Sequence, residues 1–380
     1  MKKTIALILA VILAAFCFTG CGLAGFGSDE EEAVMTVDGR TVTWNEYMYW
    51  LNTAAAELQS YYANAGKSGI KWSDPCMFDS GITNAEWCVK RATQTVTEMC
   101  AIENYTEKKG VTLSDEEKAE IDDYISQYIE YYCGEDATEE DFDKLLNEEY
   151  LTLDYYRHMM YMNMSFQKLF ENEYGANAEK LDDAVALAYG EENDFITAAH
   201  ILFKTVDDQR EPLDDETIAS KKAQAESLAA ELKAISDKDE LRTKFREYQD
   251  ELSEDPGKVS MPDGYCFGTG VMDQNFDAAA RALAENEVSD VVESAHGYHI
   301  IMRLPQNLDI AVSSTSTSGT LRYLAASEQF NDTINALVKE ATCKLTGDYK
   351  NYDFTTLFGS DGFAGWLMTD DPAESAAPEE

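Results

Sequence analysis

The spacing of apolar residues changes character near Phe195, and that change divides the chain. Before it, helical spacing dominates. Tyr47, Trp50, Leu51, Ala54 and Leu58 fall on one face of a helix predicted over 45–66. The stretch TNAEWCVKRATQTVTEMCAIENYTEKKG opens with Thr83 and Glu86 spaced as a capping box and stops at Gly110. SDEEKAEIDDYISQYIEYY opens the same way, with Ser114 and Glu117, and further helices are expected over TEEDFDKLLNEEY and 151–174. Ahead of them all, VMTVDGRTVTW alternates around Asp38-Gly39, the signature of a two-residue hairpin. Tyrosine and methionine are frequent in this region, where core packing is the expected role.

After Phe195 the strand period appears. FITAAHILFKT reads as a strand, followed by helices over DDETIASKKAQAESLAAELKAIS and DELRTKFREYQDEL. A Pro/Gly-rich loop, SEDPGKVSMPDGYCFGTG, leads to a third helix, DQNFDAAARAL. ENEVSDVV is a turn running into a short strand, and GYHIIMRL is a closing strand. Then SSTSTSGT links to a helix over LRYLAASEQFNDTINALVKEA. A lone amphipathic helix is marginal in water, so this one is expected to return to the helical region. The predicted class is α+β: a β-α-α-α-β-β domain over 195–305, inserted in a mainly helical domain over 34–190. Residues 306–345 supply the linker and returning helix, and 346–380 an acidic tail.

The first residues bear on location. Lys2 and Lys3 precede an apolar run from Ile5 to Phe18, shorter than the ~20 residues a membrane span needs. Residues 1–20 are therefore expected to be an export signal, and 21–33 a tether. Gly20-Cys21 resembles a lipobox, with Phe18 where that pattern most often has Leu. The expectation is an exported protein held at the extracytoplasmic face of the cell membrane by lipid on Cys21. Ordinary signal-peptidase cleavage, with Cys21 incidental, is the alternative.

Charge removes some partners. With 30 Lys+Arg against 72 Asp+Glu, the formal net charge is −42, which repels nucleic acid and anionic lipid. Beyond Cys17 and Cys21 there are six cysteines, whose spacing repeats no small-module framework, and no disulfide is expected.

Four histidines are present, and three of them lie in or beside the predicted strands. Strand alternation puts His299, Ile301 and Arg303 on one face of GYHIIMRL, and His200 with Leu202 on one face of AAHILFK. Two neutral imidazoles on neighbouring strands can satisfy each other, because each is both donor and acceptor. A structural pair and a functional pair look alike at this level. A zinc site from His296, His299 and Cys266 is disfavoured, since positions three apart on a strand point to opposite faces. No Gly-x-Ser-x-Gly motif is present, and Cys266 lacks a placed histidine and acid.

Taken in order, AAHILFK, LSEDPG, GYCFGTGVMDQNFDAAARAL and NEVSDVVESAHGYHIIMRL resemble the parvulin family of peptidyl-prolyl cis-trans isomerases. The whole plan, from signal through the VMTVDGRTVTWNEY opening to the returning helix, resembles PrsA-like and SurA-like extracytoplasmic foldases. The resemblance implies a parvulin-like domain within a SurA/PrsA-like chaperone domain. It implies an isomerase or foldase for exported polypeptides with X-Pro bonds, needing no cofactor and no metal. His200 and His299 match the family's paired histidines, Asp255 its Cys or Asp near the substrate amide, and Ser294 a hydroxyl position. Together these make the implied catalytic set. Phe267, Met272 and Phe276 match the proline pocket, and Asp273, where a neutral amide is common, joins the implied substrate-binding set. Gly264 stands where a bulky aliphatic often walls the pocket, and the role of His296 is open. KTVDDQR lacks the basic cluster of the phospho-specific branch. A holdase chaperone with a weak or inactive parvulin domain is the alternative, favoured by Gly264 and Asp273.

Overall fold

The computed structural model describes residues 33–313, 319–345 and 354–358. The expected signal, Cys21, nearly all of the tether, most of the Ser/Thr linker and most of the acidic tail lie outside them. In chain order, β1 (Ala33–Val37) and β2 (Arg40–Thr43) precede α1 (Trp44–Asn64), α2 (Asn84–Lys108) and α3 (Asp115–Cys133). Next come α4 (Glu139–Asn147), α5 (Leu153–Tyr174) and α6 (Asp183–Glu192). The strand-bearing region holds β3 (Ile196–Lys204), α7 (Asp215–Lys233), α8 (Lys238–Leu252), β4 (Tyr265–Phe267), α9 (Gln274–Ala282), β5 (Val292–Ser294), β6 (Gly297–Leu304) and β7 (Val312–Ser313). Last are α10 (Leu321–Glu340), β8 (Cys343–Leu345) and α11 (Phe354–Phe358). Backbone contacts divide the chain into two compact units, Glu173–Phe330 and a helical unit built from 33–172 together with Asn331 onward.

In the helical unit the hairpin forms as its sequence dictates. Asp38 and Gly39 take positive φ of 49° and 89°, and Val37 pairs with Arg40. Thr83 and Ser114 accept from the backbone of Glu86 and Glu117, whose carboxylates return the bond, so both capping boxes are made. Tyr47, Trp50, Leu51, Ala54 and Leu58 are all buried in the core of this unit. Not every tyrosine packs there. Tyr124 and Tyr131 of α3 are exposed, although Ile121, Ile125 and Ile129 on the same helix are buried.

Two features of this unit escape sequence reading. β8 adds to β1 in a three-stranded sheet of order β2-β1-β8, and three residues centred on a lysine carry no visible period. Within the expected tail, α11 buries Phe354 and sets it and Phe358 5.4 and 5.8 Å from the Trp72 ring. Cys76, Cys88, Cys100, Cys133, Cys266 and Cys343 are free thiols.

The other unit is organised by a five-stranded sheet of order β5-β6-β3-β4-β7. β3 and β6 run antiparallel at its centre over eight paired positions. Their alternation splits the unit into two apolar layers. Ala199, Ile201, Phe203, Tyr298, Ile300 and Met302 pack on α7 and α8. On the opposite face Ile196, Ala198 and Ile301 pack with Phe267, Phe276 and Ala280.

The sequence-predicted order β-α-α-α-β-β is thus corrected by two strands, β4 and β7, which read as loop and linker. Each spans at most three residues and is held by its neighbours: β4 by Ile196–Ala198, and β7 by a short parallel pairing to β4. The strand sought in ENEVSDVV begins only at its last residue, Val292, because Asn286 turns the chain at φ 61° and only Val288 bridges to β6.

Candidate active site

Register brings the histidines together. His200 pairs with Ile301 and Leu202 with His299, so the two rings are diagonal neighbours on one face of the sheet. Both are buried, and Nδ1 of one lies 2.9 Å from Nδ1 of the other. The line extends at both ends. His200 Nε2 is 3.0 Å from Asp255 Oδ2, and His299 Nε2 is 2.7 Å from Ser294 Oγ. With both rings neutral, one assignment makes every bond. His200 donates to the Asp255 carboxylate, His299 donates to His200, and the Ser294 hydroxyl donates to His299 while accepting from the backbone N–H of His296 (3.0 Å).

Asp255 reaches His200 because β4 covers only the first part of β3. Beyond it the Leu202 backbone N–H donates to Ser253 Oγ (3.1 Å), and its carbonyl accepts from the Glu254 N–H (2.8 Å). These bonds fix the start of the DPG turn against the strand. Asp255 Oδ1 then accepts from the Gly257 N–H (3.0 Å), capping the turn. Burial alone would raise the Asp255 carboxyl. The hydrogen bonds from His200, Tyr265 and Gly257 override that, and hold it well below the usual carboxylate range.

Tyr265 is the functional candidate that sequence reading missed. Its hydroxyl donates to Asp255 Oδ2 (2.6 Å), and its ring lies edge-on to His200 at 5.5 Å. The signal was present in GYCFG, but the phenol stands ten positions beyond its partner, across a turn and a loop, and only the β4 pairing closes that distance. Gly257 permits the approach, since a Cβ there would lie 1.9 Å from the Tyr265 hydroxyl.

The apolar residues gather on the same side. Phe276 is edge-on to both imidazoles, at 5.3 and 5.4 Å, and Phe267 lies 6.0 Å behind it. Phe267 is wholly buried, whereas Met272 is half-buried, so Met272 and the margin of Phe276 form the outer part of the cluster. Asp273 is exposed, and its Oδ1 caps α9 by accepting from the Asn275 and Phe276 N–H groups. Gly264 does not open a pocket. At φ +90° its missing Cβ would lie 2.8 Å from the Ala198 carbonyl oxygen, so the position requires glycine for the chain to enter β4. His296 is exposed, its backbone joining the Ser294 and Thr205 bonds. Cys266 is buried, accepts from Gln306, and has its thiol pushed up by burial to about 11, the wrong direction for a nucleophile.

Burial, then the charge repulsion of His200 and His296, pushes His299 down from 6.5 to about 3. The unfolded chain therefore binds more protons than the folded one between those values, and stability falls as pH is lowered across that window. Asp255, also depressed, adds a loss of the same sign below its ordinary 3.8. Melting temperatures from pH 7 downward should show this decline, and His299→Gln should flatten its upper part. A parallel curve for that variant would mean that His299 does not titrate with unfolding.

Residues 200–304 match the family described as the PPIC-type PPIASE domain, and residues 1–170 match the SurA-like N-terminal domain. The chain thus joins a PPIC-type PPIase domain to a SurA-like N-terminal domain. It is similar to the foldase protein PrsA of Staphylococcus aureus strain bovine RF122 / ET3-1, at 30% identity over 219 residues, 52% of this chain and 57% of that protein. The PrsA of strain MRSA252 matches to the same extent. The crystal structure of PrsA from Bacillus subtilis is 23% identical, covers 77% of this chain and 99% of its own, and superposes with a TM-score of 0.24. The chain spans a little over half the length of the curated relatives it matches. Among the described residues no helix is long and apolar enough to cross a membrane, and no group of His, Cys, Asp and Glu is arranged to hold a metal ion.

Proposed function

We propose that this chain is a peptidyl-prolyl cis-trans isomerase that assists the folding of exported polypeptides, tethered outside the cell membrane by lipid on Cys21. The observation that carries the reading is the continuous line Tyr265–Asp255–His200–His299–Ser294 beside Phe276 and Met272.

The reaction asks little of covalent chemistry. Amide resonance sets a barrier of ~18–20 kcal/mol to rotation about X-Pro, and no bond to a heavy atom breaks. A site accelerates it by binding the twisted amide better than either planar form. The aromatic and thioether margin suits a pyrrolidine ring and excludes water from it. The hydrogen-bonded imidazoles fix the donors and acceptors that meet the changing charge on the amide oxygen and nitrogen. Depression of both Asp255 and His299 keeps an anion and a neutral ring in place at neutral pH. The holdase alternative drew its weight from Gly264 and Asp273, and both now have structural duties in strand entry and helix capping.

A protease-coupled assay with an X-Pro peptide tests the isomerase reading, and the full chain should accelerate cis-to-trans conversion over the uncatalysed rate of tens to hundreds of seconds. A folded protein that leaves that rate unchanged would remove it. Labelling with a fatty-acid analogue tests the anchor: the label should be incorporated by the native sequence and lost in Cys21→Ser.

A further inference from the structure

We propose that the exposed tyrosine face of α3 in the helical unit docks unfolded segments that carry both Lys/Arg and apolar side chains. The proposal rests on the foldase reading for the source of the occupant, an unfolded client chain.

Tyr131 is 79% exposed and Tyr124 53%, while three isoleucines of the same helix face the core. Positions 124, 128 and 131 follow the i, i+4, i+7 row of one helix face, and Tyr132 borders the buried side. The rings contact one another: Tyr128 stacks on Tyr132 at 6.0 Å, and Tyr131 meets Tyr132 edge-on at 4.8 Å. Such a surface is rigid and amphipathic, and loses little side-chain freedom when something lies on it.

Charge identifies what would lie there. On the outer flank of the row stand Glu116, Glu120, Asp123 and Glu130, all exposed. α3 carries seven acidic residues and a single lysine, Lys118. Lys168 of α5 pairs with Glu117, which starts the row seven residues before Tyr124, and Arg157 pairs with Asp122 on the far side of the helix, so neither cation offsets the carboxylates of the outer flank. An extended peptide along the helix would meet aromatic faces on one side and carboxylates on the other. Lysine and arginine satisfy both, through ion pairs and through cation–π contact, and neighbouring apolar residues cover the rings. A second copy of this chain is a poor occupant, because the formal charge of −42 opposes self-association.

The test uses the full chain and a fluorescein-labelled unstructured peptide in which lysine and phenylalanine are spaced by serine and glycine. Anisotropy should show binding that weakens as salt is raised. The double variant Tyr124→Ser, Tyr131→Ser and the triple variant Glu120→Gln, Asp123→Asn, Glu130→Gln should each bind about tenfold more weakly. All five side chains are exposed, and circular dichroism melts verify that the variants remain folded. No binding by the native chain, or native affinity in either variant, overturns the proposal. Equal affinity for a peptide with serine in place of phenylalanine does so too, since that result is charge alone. Isomerase activity of the native chain on a short X-Pro peptide, measured separately, reports on the isomerase reading and not on this surface.

Discussion

The double variant His200→Ala, Asp255→Ala is expected to lose about 100-fold in kcat/KM for X-Pro isomerisation, because a buried and a half-buried hydrogen-bonded group, at ~1–3 kcal/mol each, are removed together. His200 is the centre of the line. Without it the buried His299 Nδ1 has no acceptor, and without Asp255 the Tyr265 hydroxyl and the Gly257 N–H lose the carboxylate that holds the DPG turn. The single variant Asp255→Asn keeps the volume and removes the charge, and should fall between the double variant and the native protein. A protease-coupled assay measures the rates, and thermal melts separate lost chemistry from lost folding. A folded double variant with the native rate would contradict the assignment of this line to the reaction.

Gly297→Ala should damage the molecule more broadly. At φ +144° the glycine takes a conformation that side-chain-bearing residues rarely adopt, and its added Cβ would sit 2.2 Å from the Phe203 carbonyl oxygen and 2.9 Å from the Thr205 nitrogen. All three nearest atoms are backbone, so no rotamer change relieves the clash. Strain and overpacking together should cost about 3 kcal/mol or more. The expected result is a large fall in the urea midpoint of the Glu173–Phe330 unit within the full chain, with isomerase activity falling alongside. Gly297 pairs with Lys204 at the end of the β3–β6 ladder, and the turn it closes also holds Ser294. An unchanged midpoint would show that this turn can relax in a way the backbone contacts forbid.

Legibility followed the range over which each signal acts. The long helices, the Asp38-Gly39 hairpin and both capping boxes were readable because their determinants lie within a few residues. The meeting of His200 with His299 was readable from alternation once the strands were taken as neighbours. Short strands were not. β4, β7 and β8 span three residues or fewer, and their pairing energy comes from partners far along the chain. The Tyr265–Asp255 bond failed for the same reason. Gly264 shows the opposite limit: its lack of a side chain read as an opened pocket, whereas the positive φ and the Ala198 carbonyl explain it. Tyrosine frequency in the helical unit suggested core, and only burial could separate Tyr47 and Tyr156 inside from Tyr124 and Tyr131 outside.

The sheet β2-β1-β8 imposes an order on biogenesis. The Thr342 N–H donates to Asp38 Oδ1 across 304 residues, and β1 pairs with β8 just beyond that point. During synthesis the opening hairpin emerges early, and must wait for the entire intervening unit before its third strand exists. Until then β1, which contributes Val34, Met35 and Val37 to the core, presents an unpaired apolar edge open to misjoining with another nascent chain. Prematurely terminated products would keep that edge permanently, making them natural targets for proteolytic clearance.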